Sequence, residues 1–377
     1  MKKLIPVVIV AAILAMAAFW VMSRKQTPSG GKSGQRVLEG FRPELVGGIV
    51  IEGPEGSVTL KDQGGRWGVV ERSDYPANTE QIRAMVLEAW NMKAIQQIQL
   101  GEGSLARLQL VPPGGNPPAA VQETATRLQF LGADGKELAS VLLGLPRVSD
   151  PADGMPGRPI GRYVMVPGQA TAGLVSETFS MASPAPAPWL DKTFVKIENP
   201  VRIERKGPGG WVVKRENEGW VPEGTNQGTF QPGLVSSAVS LWRSPVFDDL
   251  GRSEDFPDGA TDDEIVITVE GGRVYKIRRG PVQGTRTPLR ISVQEVAEQD
   301  NQGDGAAPSA VAGDEKKESG ESPDKAGKEE GPVDRLVEGQ VYLLPTTTVD
   351  ALFINRADLF VVPAPDSKGE NQSRPPN

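Results

Sequence analysis

Apolar and polar residues alternate in short runs along most of this chain, and twice the alternation gives way to one amphipathic helix. Gly48-Ile-Val-Ile-Glu52, Ser57-Val-Thr-Leu-Lys61 and Arg66-Trp-Gly-Val-Val-Glu71 have the period of half-buried strands, separated by Gly-rich turns. Asn78 or Thr79 then stands where a helix cap belongs, and Ile82, Met85, Val86, Ala89 and Trp90 follow at i, i+3, i+4, i+7 and i+8. Glu80, Arg83, Glu88 and Asn91 take the wet side. Strand patterns resume at residues 126–131, 137–143 and 162–166, with a short helix predicted over Ala172–Phe179.

The same order returns further along. Residues 201–204, 210–214 and 219–221 read as three opening strands, and a helix places Leu234, Ala238, Leu241 and Trp242 on one face. Residues 264–269 and 273–277 form a second hairpin, the strand at 340–344 answers that at 162–166, and a short helix covers Val349–Phe353. Trp67 meets Trp220 at an offset of 153, and Trp90 meets Trp242 at 152. The predicted fold is therefore α+β. It has two tandem repeats, residues 44–197 and 198–362, each a mainly antiparallel sheet in the order β-β-β-α-β-β-β-α with one principal packing helix.

Before the first repeat, Leu4 to Met22 is an uncharged run between Lys2-Lys3 and Arg24-Lys25. Nineteen residues at about 1.5 Å each reach about 28 Å, close to the hydrocarbon core of a bilayer. We read residues 1–22 as a transmembrane anchor and 23–43 as a flexible linker, with the N-terminus in the cytoplasm and the body in the periplasm. Cleavage after Ala15-Met16-Ala17 is the rival reading, but it would leave Phe-Trp-Val-Met as an exposed apolar start.

Charge changes the picture in one place. Between Gln294 and Asp334 twelve acidic residues face four lysines, a net of −8, so the rest of the chain carries +1 of the total −7. The segment 294–334 lacks aromatics and reads as a disordered insert in the second repeat, and 363–377 as a disordered tail. The near-neutral remainder carries no nucleic-acid footprint.

Candidate chemistry is sparse. Among 377 residues there is no Cys and no His, which excludes disulfides, thiolate zinc sites, Cys nucleophiles and His-based catalysis. The acidic cluster Asp248, Asp249, Glu254, Asp255, Asp258, Asp262, Asp263 and Glu264 offers oxygen ligands without the spacing of a calcium loop, so a solvated loop is favoured. Gly101-Glu-Gly-Ser-Leu-Ala106 fits G-x-G-x-x-A formally, but Pro112-Pro113 stops any useful helix. Gly31-Lys32-Ser33 lacks the leading glycine and the strand of a phosphate loop. Of the seven tryptophans, Trp67, Trp90, Trp220 and Trp242 are expected in the core, and Trp211 is expected to be exposed. No catalytic, cofactor-binding or metal-ligating residue is selected by any local signature, and no cofactor is expected.

The run Arg66-Trp67, Val70-Glu71, Tyr75-Pro76-Ala77, the helix after it, and Pro188-Trp189-Leu190-Asp191 resemble the bacterial proteins catalogued as domain of unknown function 4340. The resemblance spans most of residues 44–360 and implies an anchored protein with a repeated extracytoplasmic α+β module and no catalytic residues. It also implies a partner role beside an exporter-type ABC transporter. The expected function is thus non-enzymatic protein binding, with the inner membrane contacted through residues 4–22 and a membrane protein such as a transporter subunit as partner. An envelope glycan-binding module or an envelope hydrolase are the alternatives.

Overall fold

A computed structural model describes residues 34–151, 156–207, 209–217, 219–224, 228–257, 259, 263–295 and 339–362. The expected anchor at 1–22, residues 23–33 of the expected linker, 296–334 of the acidic insert, residues 335–338 and the tail 363–377 lie outside the described residues, as do Asp258 and Asp262. The chain divides into two compact units, Met1–Asp191 and Lys192–Asn377, a division that falls ahead of the boundary expected at 197.

In the first unit, β1 (Val46–Gly53), β2 (Gly56–Asp62), β3 (Trp67–Val69) and β4 (Tyr75–Pro76) lead into α1 (Thr79–Asn91). Then come β5 (Ala94–Gln99), α2 (Ser104–Arg107), β6 (Thr126–Gly132), β7 (Glu137–Val148), β8 (Pro159–Met165) and β9 (Thr171–Val175). All strands join one antiparallel sheet in the order β4-β3-β2-β1-β6-β7-β8-β9-β5. Alternation makes the core: Ile49, Ile51, Val58, Leu60, Leu128, Phe130 and Val141 are fully buried. The neighbour of Val141, Leu142, is buried too, in a second cluster with Leu110, Ala125, Met165 and Ala172 that Leu100, Leu105 and Leu108 cover. β7 is therefore apolar on both faces.

Asn78 caps α1 by accepting from the Gln81 N–H, and Ile82, Met85, Val86 and Ala89 form its buried stripe. The entry to α1 is clamped from far along the chain. The Asn78 N–H donates to the Trp189 carbonyl and the Asp191 N–H to the Pro76 carbonyl, each at 2.8 Å. Ala77 and Leu190 form an antiparallel bridge, while the Trp189 indole is fully buried and donates to the Ser183 carbonyl at 2.8 Å. The two separate motifs, Tyr75-Pro76-Ala77 and Trp189-Leu190-Asp191, thus meet each other.

The second unit runs β10 (Pro200–Lys206), β11 (Trp211–Glu216), β12 (Gly219–Pro222), β13 (Thr229–Phe230), α3 (Pro232–Trp242) and β14 (Asp249–Gly251). β15 (Glu264–Val269), β16 (Arg273–Arg279), β17 (Arg286–Glu295), β18 (Val341–Pro345), α4 (Thr346–Leu352), α5 (Arg356–Leu359) and β19 (Phe360–Val361) follow. Its main sheet has the order β12-β11-β10-β15-β16-β17-β18-β14, and β13 pairs with β19. The entry to α3 is held as that of α1 is: the Gln231 N–H donates to the Leu359 carbonyl at 2.9 Å. An aromatic cluster fills the core, with Phe194, Phe247 and Tyr342 ring centres 4.4–5.2 Å apart.

The sheet-rich α+β class stands, and several finer expectations do not. Each unit has an extra strand after its helix, β5 or β14. Ala172–Phe179 begins as strand β9, not as a helix, because β8 and β5 flank it with backbone partners. β17 was hidden against the acidic insert and runs through Glu295, two residues into it. In the first sheet the strand at 159–165 lies between β7 and β9, while in the second the strand at 341–345 lies between β17 and β14.

Candidate functional site

α3 has no charged residue between Pro232 and Trp242. Its inward stripe is Val235, Ala238 and Trp242, and the Trp242 indole reaches the Thr348 carbonyl on α4 at 3.4 Å. The face expected to be buried is therefore rotated. Leu234 and Leu241 point outward, 41% and 43% exposed, because Val235 and Trp242 fill the space against β12 and α4. A helix with two apolar stripes and no charges does not declare which one it buries.

Beside these leucines opens a groove of about 700 Å³ in the second unit, lined by Leu234, Ser237, Ala238 and Leu241 of α3 and by the segment from Asp350 to Asp358. Its wall is fixed by a half-buried arginine. Arg205 of β10 makes two bonds to Asp263, at 2.9 and 3.0 Å, and donates to the carbonyls of Phe353 and Ile354 at 3.0 and 2.7 Å. The latter carbonyl also accepts the buried Trp211 indole N–H at 2.9 Å. Trp211 is 4% exposed, which corrects the expectation that it faces solvent; the strand puts it inward and Ile354 supplies its acceptor. Arg279 sits over the Phe353 ring at 5.3 Å and pairs with Asp350 at 3.3 Å. The Asp350 side chain is 56% exposed and Asp358 is exposed, so the outward charge at the mouth is acidic. Asp358 has no ion-pair partner among the described residues.

The first unit holds a smaller cleft of about 450 Å³ between the sheet and residues 35–39. Its charged groups are engaged at short range. Glu39 accepts from Gln35, Glu137 accepts from Gln129, and the Arg36 guanidinium lies 4.2 Å from the centre of the half-buried Trp90 ring.

The weighed motifs are not brought together into sites. Asp248 pairs with Arg286 at 3.0 Å, Glu254 with Arg252 at 2.7 Å and Glu264 with Lys206 at 2.8 Å, and Asp263 is held by Arg205. Among the described residues no three His, Cys, Asp or Glu side chains gather as a metal group. After Gly101 and Gly103 the helix α2 has four residues, and the Ser104 hydroxyl takes the Gly101 N–H, as in a plain turn. Of the four tryptophans expected in the core, Trp220 and Trp242 are buried, while Trp67 and Trp90 are half-buried. No family model, curated protein or solved structure matches the chain. Among the described residues no helix is long and apolar enough to cross a membrane.

Proposed function

We propose that this chain is a non-enzymatic, single-pass inner-membrane protein whose two periplasmic units are copies of one module and dock another protein. It would serve as an auxiliary part of a transport or envelope assembly. The observation that carries the docking reading is the uncharged outer face of α3 above its groove. Leu234 and Leu241 stand exposed there, and covering what remains of each is worth on the order of 1 kcal/mol. The equivalent helix α1 turns Glu80 and Arg83 to solvent instead, so the docking face belongs to the second unit.

The duplication is supported by the shared strand order and by the same clamp at each helix entry, Asn78 to Trp189 and Gln231 to Leu359. The membrane reading rests on the uncharged run 4–22 and on the resemblance to the domain of unknown function 4340 proteins. Docking is favoured over a glycan platform because Trp189, Trp211, Trp220 and Trp242 are buried and Arg36 covers the Trp90 ring.

The test is a photo-crosslinking amino acid placed at Leu241 or at the equally exposed Leu87 of α1, in intact cells. Leu241 is expected to capture one discrete envelope or membrane protein that Leu87 does not. Identical capture from both positions would remove the groove as the docking site.

A further inference from the structure

We infer that the groove of the second unit takes an amphipathic α-helix with basic residues along its flanks, an inference that rests on the docking reading. Two features of the groove argue for this occupant. The first is its shape. Leu234, Ser237, Ala238 and Leu241 line it at i, i+3, i+4 and i+7. That is the four-residue diamond into which a facing helix inserts one knob side chain. Small Ser237 and Ala238 form the floor of the diamond, and the two leucines bound it about 10 Å apart along the axis. A knob from a partner helix fills such a hole, and its own apolar neighbours cover Leu234 and Leu241.

The second feature is charge. The arginines around the wall are engaged within it: Arg205 on Asp263 and two carbonyls, Arg279 on Asp350 and Asp263, and Arg356 on the Gly210 carbonyl at 2.8 Å. What faces outward is the Asp358 carboxylate and the exposed side of Asp350. A lysine or arginine on the flank of the incoming helix meets both, whereas a carboxylate there would be repelled. A second copy presenting its own α3 would offer only Arg243, at the very end of that helix, and no basic residue along the helix itself.

Two designed helical peptides of about 14 residues serve as probes, with leucines one heptad apart and flanks of lysine in one and glutamate in the other. Binding to the full chain is read by fluorescence anisotropy. The lysine peptide is expected to bind at least about tenfold more tightly than the glutamate peptide. Leu241→Asp is expected to abolish that binding, and Asp358→Lys to erase most of the preference. Leu241→Ser is a milder second variant, and far-UV circular dichroism checks that each is folded. The acidic run after Gln294 is unchanged in all of them, so attraction to it cancels between variants probed with the same peptide, and the losses in Leu241→Asp and Asp358→Lys report the groove. Equal binding of both peptides, or lysine-peptide binding that survives Leu241→Asp, overturns the inference. A concentration-dependent dimer that Leu241→Asp dissolves overturns it in favour of a second copy. If neither peptide binds while Leu241 still captures its own partner in cells, the basic helix is wrong and the docking reading survives. If Leu241 and Leu87 capture alike, the docking reading itself has failed.

Discussion

Arg162 shows how one side chain closes a part of the first unit that no hydrophobic pattern marks. Its Nε donates to the Gly144 carbonyl at 2.9 Å, and one terminal nitrogen donates to the carbonyls of Thr178 and Phe179 at 3.2 and 3.3 Å. Glu88 of α1 completes the arrangement by accepting the Phe179 N–H at 2.9 Å. Burial pushes the Arg162 guanidinium below its ordinary pKa, and the charge of Glu88 offsets only part of that fall. Arginine stays protonated throughout the working range, so this contribution does not vary with pH there. Space is tight on the neighbouring strand β7: a Cβ on Gly144 would lie 2.4 Å from the Leu108 carbonyl oxygen. Arg162→Met is expected to leave these carbonyls without a donor and to cost about 1–3 kcal/mol, read as a lower midpoint in urea denaturation. Arg162→Lys should recover less than half, because an ammonium cannot reproduce the fork. Full recovery by lysine would mean that charge alone matters.

At the scale of elements, the two helices show why one was readable from sequence and the other misled. In α1 the apolar stripe Ile82, Met85, Val86 and Ala89 is opposed by Glu80 and Arg83, which leaves one orientation open. In α3 no charge opposes anything, and the stripes through Leu234 and Leu241 or through Val235 and Trp242 compete with Ala238 shared between them. Only the β12 and α4 neighbours decide. Strands with a period of two and Gly turns were legible for the same reason that α1 was. β5 was not, since Ala-Ile-Gln-Gln-Ile-Gln has weak strand propensity and is held by its pairing with β9. Trp211 follows a Gly-Gly turn, and its acceptor on Ile354 lies 143 residues away, beyond any local pattern. The groove was illegible because it depends on the rotation of α3. Its orientation has a direct check. Val235→Ala is expected to cost about 1–2 kcal/mol, as for a buried deletion of this size, and Leu241→Ser to stay within about 0.5 kcal/mol. Reversed magnitudes in denaturant titrations would show that α3 buries its leucines instead.

At the scale of the whole molecule, each unit carries its own core, and that governs how the chain melts. Phe130 of β6 is fully buried in the first unit, where its ring lies 4.7 Å from that of Phe41. Phe247 is 2% exposed within the aromatic cluster of the second, with the Lys192 ammonium 4.7 Å from its ring centre. Truncating either to alanine removes a large buried ring and is expected to cost about 3–5 kcal/mol. If the cores are thermodynamically separate, the full chain does not melt as one two-state system, and calorimetry resolves two components. Phe130→Ala should then lower one component by about 10 °C and leave the other in place, with Phe247→Ala doing the reverse. A stabilising ligand supplies the cross-check. A helix bound in the α3 groove stabilises only the state that has the groove, so it should raise the component that Phe247→Ala lowers and leave the Phe130-sensitive one unmoved. A single transition displaced equally by both substitutions would mean that the two cores fold as one unit, and a ligand that moved the Phe130-sensitive component alone would place its site in the first unit.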